Sequence, residues 1–261
     1  MTDVIRIDDP DDPRVAPFRL SERRLASRAD RRDDAGAGMF LAEGDLVVER
    51  ALDAGCEPVA ALVDSARVPA VASALDCPVY GGGDRFRAHV AGLGVAAPVI
   101  ALFRRPPRPS VAELAARCDR LVVAEGVDNP ANVGSIVRNA AALGWQGLVL
   151  DHTSADPLAR RSLRVAMGTV FALPHARTTR LVDDLAALDG FTLYALTPDP
   201  AAADIGSIAP TPKRAVLIGS ERAGLSAELL EFAVPVRIPM FGGVDSLNAA
   251  AATAVACYAL G

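Results

Sequence analysis

Three stretches of this chain gather polar side chains where an apolar run gives way to a loop, which is where a parallel α/β protein does its chemistry. The first is GVDNPANVGSIVRNAAALG, Gly126 to Gly144. Asn129 and Pro130 keep its loop non-helical, Asn132 stands at a helix start, and Arg138 lies one turn after Ser135 on the more polar side. The asparagine can cap the helix or hold a substrate, and the arginine can stabilise developing negative charge or face water. The second is VLIGSERAGLS, Val216 to Ser226, with Glu221 as a loop carboxylate that is either solvated or functional. Gly219 and Gly224 have the spacing of a phosphate loop, but Leu225 stands where the phosphate-reaching lysine belongs, which disfavours triphosphate hydrolysis. The third is IPMFGGVDSLNAAAATAVACYAL, Ile238 to Leu260: a strand, a Gly-Gly loop, Ser246 at a helix start and Asn248 on its first turn. Capping accounts for Ser246 and leaves Asn248 without a task.

Other chemistries lack their residues. No G-x-G-x-x-G follows a strand, no Ser or Cys sits in a G-x-S-x-G elbow, and His89, His152 and His175 are isolated. Cys56, Cys77, Cys118 and Cys257 lie far apart with no C-x-x-C pair, so neither a metal site nor a disulfide framework is expected. The acidic, proline-broken N-terminus is no export signal, and the apolar run Leu247 to Leu260 falls short of the roughly 20 residues that cross a bilayer, so a cytoplasmic protein is expected.

The elements that must position the three stretches are legible as an alternation. Before a proline-rich segment, RRPPRPS at Arg104 to Ser110, the pattern predicts a helix over Gly44 to Ala54, strands at Pro58 to Val63, Pro78 to Tyr80 and Pro98 to Phe103, a helix over Pro69 to Leu75, and a flexible turn at Gly81 to Gly83. Beyond it come strands at Arg120 to Ala124, Gly147 to Leu150, Val170 to Leu173, Phe191 to Leu196, Ala215 to Ile218 and Val234 to Ile238. The intervening helices are predicted over Asn132 to Leu143, Leu158 to Ala166, Thr179 to Leu188, Ser226 to Glu231 and Ser246 to Leu260. This is a parallel α/β signature. The expected division is a polar N-terminal arm and small α/β domain over residues 1–105, a linker and the start of a helix over 106–117, and a second domain over 118–261.

With 261 residues, 51% hydrophobic and 23% charged, the chain can bury two cores, and a net charge of -5 argues against gripping nucleic acid by bulk positive charge. Local arginine clusters remain: Arg23, Arg24, Arg28, Arg31 and Arg32; Arg104, Arg105 and Arg108; Arg160, Arg161 and Arg164. The first and third rank highest, because an arm can move and the third follows a strand end near the polar loops. Each is more often a solvated face.

Taken together and in order, the three stretches resemble the signature motifs of the SpoU-like (TrmH-type) RNA ribose methyltransferases of the SPOUT superfamily, over roughly Leu121 to Gly261. The region before them, with LAEGDLVVERALDAG at Leu41 to Gly55, resembles a small L30e-like domain that binds RNA substrate. The resemblance implies methyl transfer from S-adenosylmethionine to a ribose 2′-hydroxyl, in ribosomal RNA ahead of transfer RNA, without a metal. It assigns catalysis and substrate contact to Asn132, Arg138, Glu221, Ser246 and Asn248, and cofactor binding to Leu196, Thr197, Gly219, Ser220, Ile238, Met240 and Leu247. RNA would run along Arg23, Arg24, Arg28, Arg160, Arg161 and Arg164. It further implies a deep trefoil knot and a homodimer with the site beside the interface. A guanidinium does not readily lose its proton, so Arg138 is expected to stabilise the developing alkoxide rather than act as a base. The alternatives are a transfer-RNA ribose methyltransferase and a knotted RNA-binding or assembly factor without turnover. The chain departs from the family pattern at Ala131, Ser220, Arg222-Ala223, Ala249 and Ala250, none of which removes an assigned polar residue.

Overall fold

The computed structural model describes residues 3–26, 38–92 and 97–261. The chain forms two compact units: Met1–Pro107 with Leu158–Phe171, and Arg108–Pro157 with Ala172–Gly261. The proline-rich segment is where the first break falls, but the expected continuous second domain is interrupted, since residues 158–171 pack with the first unit.

In the first unit, β1 (Val4–Arg6), α1 (Glu22–Leu25), β2 (Met39–Glu43), α2 (Asp45–Asp53), β3 (Pro58–Asp64), β4 (Val79–Gly82), α3 (Asp84–Ala91) and β5 (Val99–Arg104) build a five-stranded sheet ordered β1-β4-β3-β5-β2. β1, β4 and β3 run parallel, and β5 is antiparallel to both β3 and β2. Its central strands read as unbroken apolar runs because both faces are covered. The N-terminal stretch is not an arm over residues 3–26: Ile7, Val15, Phe18 and Leu25 are core residues, and β1 completes the sheet edge. Nor do Gly81 and Gly82 form a flexible turn. They lie in β4, where a Cβ on Gly81 would come within 2.6 Å of Val4 Cγ1 and one on Gly82 would overlap the Phe86 ring. The helix expected over Pro69 to Leu75 is a 3-10 turn, Ala70–Ala74.

The segment from the other half of the chain contributes α6, which follows α4 (Val111–Ala115), β6 (Arg120–Ala124), α5 (Pro130–Ala142) and β7 (Gly147–Asp151) in sequence and spans Arg160–Ala166. Leu163 and Ala166 are buried, and Phe171 meets Phe40, which itself stacks on Phe103 with centroids 5.4 Å apart. Arg160 donates from Nε to Glu43 Oε1 at 2.5 Å and from Nη1 to the Ala91 carbonyl at 2.9 Å. The Glu43 side chain is only 6% exposed, so this ion pair lies inside the unit.

The second unit holds a seven-stranded parallel sheet, β10-β12-β9-β11-β6-β7-β8, with β8 (His175–Thr178), α7 (Leu181–Ala186), β9 (Thr192–Leu196), β10 (Ala203–Asp204), β11 (Arg214–Ile218), α8 (Ala227–Phe232), β12 (Val234–Arg237) and α9 (Ala249–Ala259) completing the chain. Every pairing is parallel. The strand expected at Val170 to Leu173 is displaced: Thr169–Ala172 is a 3-10 turn, and the strand begins after Pro174. Registers set Ala124 beside Ile218, Leu217 beside Ala195 and Leu196 beside Val236, so β6, β11, β9 and β12 end together at one carboxyl edge. That alignment brings the three polar stretches, far apart in sequence, to one place. Behind it α9 runs along α5, tied by Asn139 Nδ2 donating to the Ala250 carbonyl and Trp145 Nε1 donating to that of Cys257, each at 2.9 Å.

Candidate active site

At that carboxyl edge lies a cavity of about 430 Å³. Leu196 and Thr197 leave β9, Gly219 and Ser220 leave β11, Ile238 and Met240 follow β12, and Leu247 precedes α9; all of them line it. Gly219 is required by packing. A Cβ there would overlap the Gly224 carbonyl carbon and the Leu225 nitrogen, because the loop folds back on itself. Gly224 N–H donates to the Ser220 carbonyl at 2.9 Å and Ala223 N–H to Ser220 Oγ at 3.1 Å, and Gly224 turns at a φ of 69°. The spacing that mimics a phosphate loop is thus that of a closed turn.

Three polar residues from the three stretches form one directed chain. Asn248 Nδ2 donates to Asn132 Oδ1 at 3.0 Å, and Asn132 Nδ2 donates to the Glu221 carboxylate. Asn132 is buried at 8% exposure, so both ends of its amide depend on these partners. Capping falls elsewhere than expected. Asn129 caps α5, accepting from Ala131 N–H at 2.9 Å, which leaves Asn132 inside the first turn. Asn248 caps α9, its Oδ1 accepting from Ala250 N–H at 2.9 Å, while Ser246 stays in the preceding loop and lines the cavity. Arg138 is exposed on α5, is not among the lining residues, and its side chain has no hydrogen bond or ion pair among the described residues.

Carboxylates that no motif marks support the loops. Asp151, at the end of β7, accepts from Gly126 N–H at 2.9 Å, Thr153 N–H at 3.0 Å, and Ser154 N–H and Oγ at 3.0 and 2.5 Å. Burial pushes its pKa up, but the hydrogen bonds from Ser154, Thr153 and Gly126 outweigh it and hold the carboxyl below its ordinary value. Ser154 Oγ in turn accepts from Val127 N–H at 3.1 Å. Glu125 accepts from Ser226 N–H at 2.7 Å, joining the β6 loop to the start of α8. Asp245 lines the cavity. The only sequence signal for Asp151 is an acidic residue closing an apolar run before Thr153 and Ser154.

The arginine clusters fare unevenly. Arg160, expected on the RNA track, is instead committed to Glu43 inside the first unit, and its helix belongs to that unit rather than to the polar loops. Arg161 and Arg164 are exposed, Arg164 with Nη1 3.8 Å from Glu43 Oε2. Arg24 is exposed; Arg28, Arg31, Arg32 and the Arg23 side chain lie outside the described residues. Arg105 is buried, donating to the Met39 carbonyl at 3.1 Å, and Arg104 pairs with Glu57 at 3.0 Å.

Among the described residues no group of three or more His, Cys, Asp or Glu side chains could hold a metal ion, and no helix is long and apolar enough to cross a membrane. Burial pushes the Cys56 and Cys77 thiols up to about 11 and Cys257 up to about 12, so none is a poised nucleophile.

Residues 119–258 match the SpoU rRNA Methylase family. An uncharacterized tRNA/rRNA methyltransferase of Mycobacterium bovis is 39% identical over 98% of this chain and 91% of its own length. The 23S rRNA (guanosine(2553)-2′-O)-methyltransferase RlmP of Bacillus subtilis is 30% identical over 85% of this chain and 88% of its own. Among solved structures, the AdoMet-bound rRNA methyltransferase from Sinorhizobium meliloti superposes with a TM-score of 0.83 at 27% identity, covering 98% of this chain and 97% of that one. With the cavity, the closed turn after β11 and the asparagine-linked loops all falling within the matched region, the chain belongs to the SpoU rRNA methylase family.

Proposed function

We propose that this protein is an S-adenosylmethionine-dependent RNA methyltransferase that methylates a ribose 2′-hydroxyl, in ribosomal RNA ahead of transfer RNA. The observation that carries this reading is the hydrogen-bonded chain Asn248–Asn132–Glu221 at a cavity walled by the ends of β9, β11 and β12. The Bacillus subtilis relative, named for 23S rRNA, supports the ribosomal preference, while the Mycobacterium bovis relative is named for both RNAs.

The residues present suit the cofactor. Leu196, Ile218, Ile238, Met240 and Leu247 give the cavity apolar walls for an adenosine, and Glu221 and Asp245 give it the negative charge that a sulfonium and an ammonium call for. When bound, S-adenosylmethionine supplies an electrophilic methyl. The chain's own part is to orient and to stabilise charge. Glu221 and Asn132, each fixed by the next residue in the chain, hold the ends of the β11 and β6 loops in register. Ser246 offers a hydroxyl to cofactor or substrate from the loop before α9. Arg138, whose side chain has no partner among the described residues, would stabilise the negative charge on the ribose oxygen as the hydroxyl proton passes to solvent, and would keep its own proton.

The same reading includes three architectural proposals. The stretch from β12 through α9 threads a loop of the second unit to make the trefoil knot. Val255 and Tyr258, both exposed on α9 and Tyr258 at 81%, suit a homodimer with the site beside its interface. The first unit acts as an L30e-like RNA-binding domain, helped by Arg24, Arg161 and Arg164, in a cytoplasmic enzyme. The test is to incubate the protein and an Arg138→Ala variant with methyl-labelled cofactor and separate pools of unmodified ribosomal and transfer RNA, then map label to the ribose. Label from the wild type alone is expected. Cofactor and RNA binding without label in either pool would favour the non-catalytic RNA-binding factor.

A further inference from the structure

Among the described residues the cavity lining carries three ionisable side chains, Glu221, Arg222 and Asp245, of which Arg222 alone is a cation. Glu221, its neighbour, is turned toward Asn132. The Arg222 side chain makes no hydrogen bond and no ion pair within 4.0 Å among the described residues, although two carboxylates line the same cavity. The Ser220–Gly224 turn, closed by two hydrogen bonds to Ser220, fixes the backbone on both sides of it, and the side chain stands exposed at the cavity mouth. In a chain of net charge -5, a guanidinium left without a carboxylate partner at the mouth of a cavity is a local well for an anion.

We propose that Arg222 is the site's phosphate receptor: its planar fork takes the oxygens of a phosphodiester next to the ribose being methylated, and thereby sets RNA affinity without touching the cofactor. This rests on the reading of the cavity as the place where an RNA ribose is methylated. A phosphodiester offers two oxygens that match the guanidinium in a bidentate manner. Lysine keeps the charge and loses the fork, so the two substitutions separate attraction from geometry. Arg222 is a positioning residue; it does not touch the reacting atoms.

The experiment compares the full-length protein with Arg222→Ala and Arg222→Lys. Binding of an unmodified 23S rRNA transcript is followed across a salt series, S-adenosylmethionine binding by calorimetry, and turnover with both substrates varied. Arg222→Ala should raise KM for RNA about tenfold with kcat nearly unchanged, lower the slope of log K against log salt by about one contact, and leave cofactor affinity intact. Arg222→Lys should recover the salt slope but only part of the affinity. An unchanged RNA KM and salt slope would overturn the proposal, as would a loss confined to cofactor binding, which would assign the guanidinium to the cofactor's carboxylate. The binding arm needs no turnover: a wild type that holds the transcript without methylating it sinks the enzymatic reading and still tests Arg222. A wild type that binds no RNA at all overturns both.

Discussion

Asn248 divides one amide between two tasks: its oxygen caps α9 through Ala250 N–H at 2.9 Å, and its nitrogen donates to Asn132 Oδ1 at 3.0 Å. A helix start and a site residue are thereby one side chain. The position of α9 and the orientation of Asn132 are set by the same hydrogen-bonding group.

The two tasks separate by substitution. Asn248→Asp keeps a capping oxygen and loses the N–H toward Asn132, so it should keep α9 capped at a cost of about 1–3 kcal/mol from the unpaired Asn132 oxygen, while methyl transfer falls at least tenfold. Asn248→Ala should lose both, with about 1 kcal/mol of stability gone as well. Chemical denaturation and single-turnover labelling, run on the same samples, read the two effects. Equal activity in Asn248→Asp and wild type would show that the link to Asn132 carries no function.

Asp151 predicts an acid limb of stability. Its folded pKa lies below the ordinary value, so the ionised form is favoured by folding. The contribution is therefore complete above the unfolded pKa of about 3.9 and is lost as pH falls through the folded value. Asp151→Asn should flatten the decline in stability below about pH 4 relative to wild type, as measured by denaturant midpoints across pH. Asp151→Ala, which strips acceptors from Gly126, Thr153 and Ser154, should cost about 3 kcal/mol.

Gly219→Ala tests the closed turn. The added methyl collides with the Gly224 and Leu225 backbone, which is no flexible side-chain end and has nowhere to retreat. A cost of about 1–3 kcal/mol is expected, together with weakened S-adenosylmethionine binding, since Gly219 and Ser220 form part of the cavity wall. Unaltered affinity in calorimetry would mean that the turn does not shape the cofactor site.

Glu43 and Arg160 form a buried pair, and removing one partner strands the other. Glu43→Ala should destabilise the protein by about 3–5 kcal/mol. Arg160→Ala should lower stability without changing the salt dependence of RNA binding, whereas Arg161→Ala should reduce that dependence. A salt slope that fell with Arg160→Ala would restore Arg160 to the RNA track.

The sheet of the second unit was legible because parallel strands covered on both faces must be written as runs such as Leu121 to Ala124 and Ala215 to Ile218. β8 was not, because His175, Arg177 and Thr178 are buried polar residues and read as surface. β1 was hidden by the acidic residues around it, its place set by pairing with β4 across more than seventy positions. Within the site, the types Asn132, Glu221 and Asn248 stood out by their places in the motifs, but their linkage spans 89 and 116 positions and no local pattern encodes it. The cap of α9 was misplaced to Ser246 because Ser and Asn cap equally well, and only the backbone path chooses between them. Arg160 looked like an RNA contact because its carboxylate partner lies 117 positions upstream.

The assignment of Leu158–Phe171 to the first unit has a consequence for synthesis. A ribosome releases the chain from its N-terminus, and a leading domain usually closes before the next one emerges. Here the buried carboxylate of Glu43 must wait for Arg160, and the Phe40 ring for Phe171, both encoded after two strands of the other unit. The first unit therefore cannot finish folding until part of the second has been made. A gene cut at the proline-rich segment would yield a first half that lacks a helix it needs, and exchanging this unit between relatives requires three crossovers rather than one.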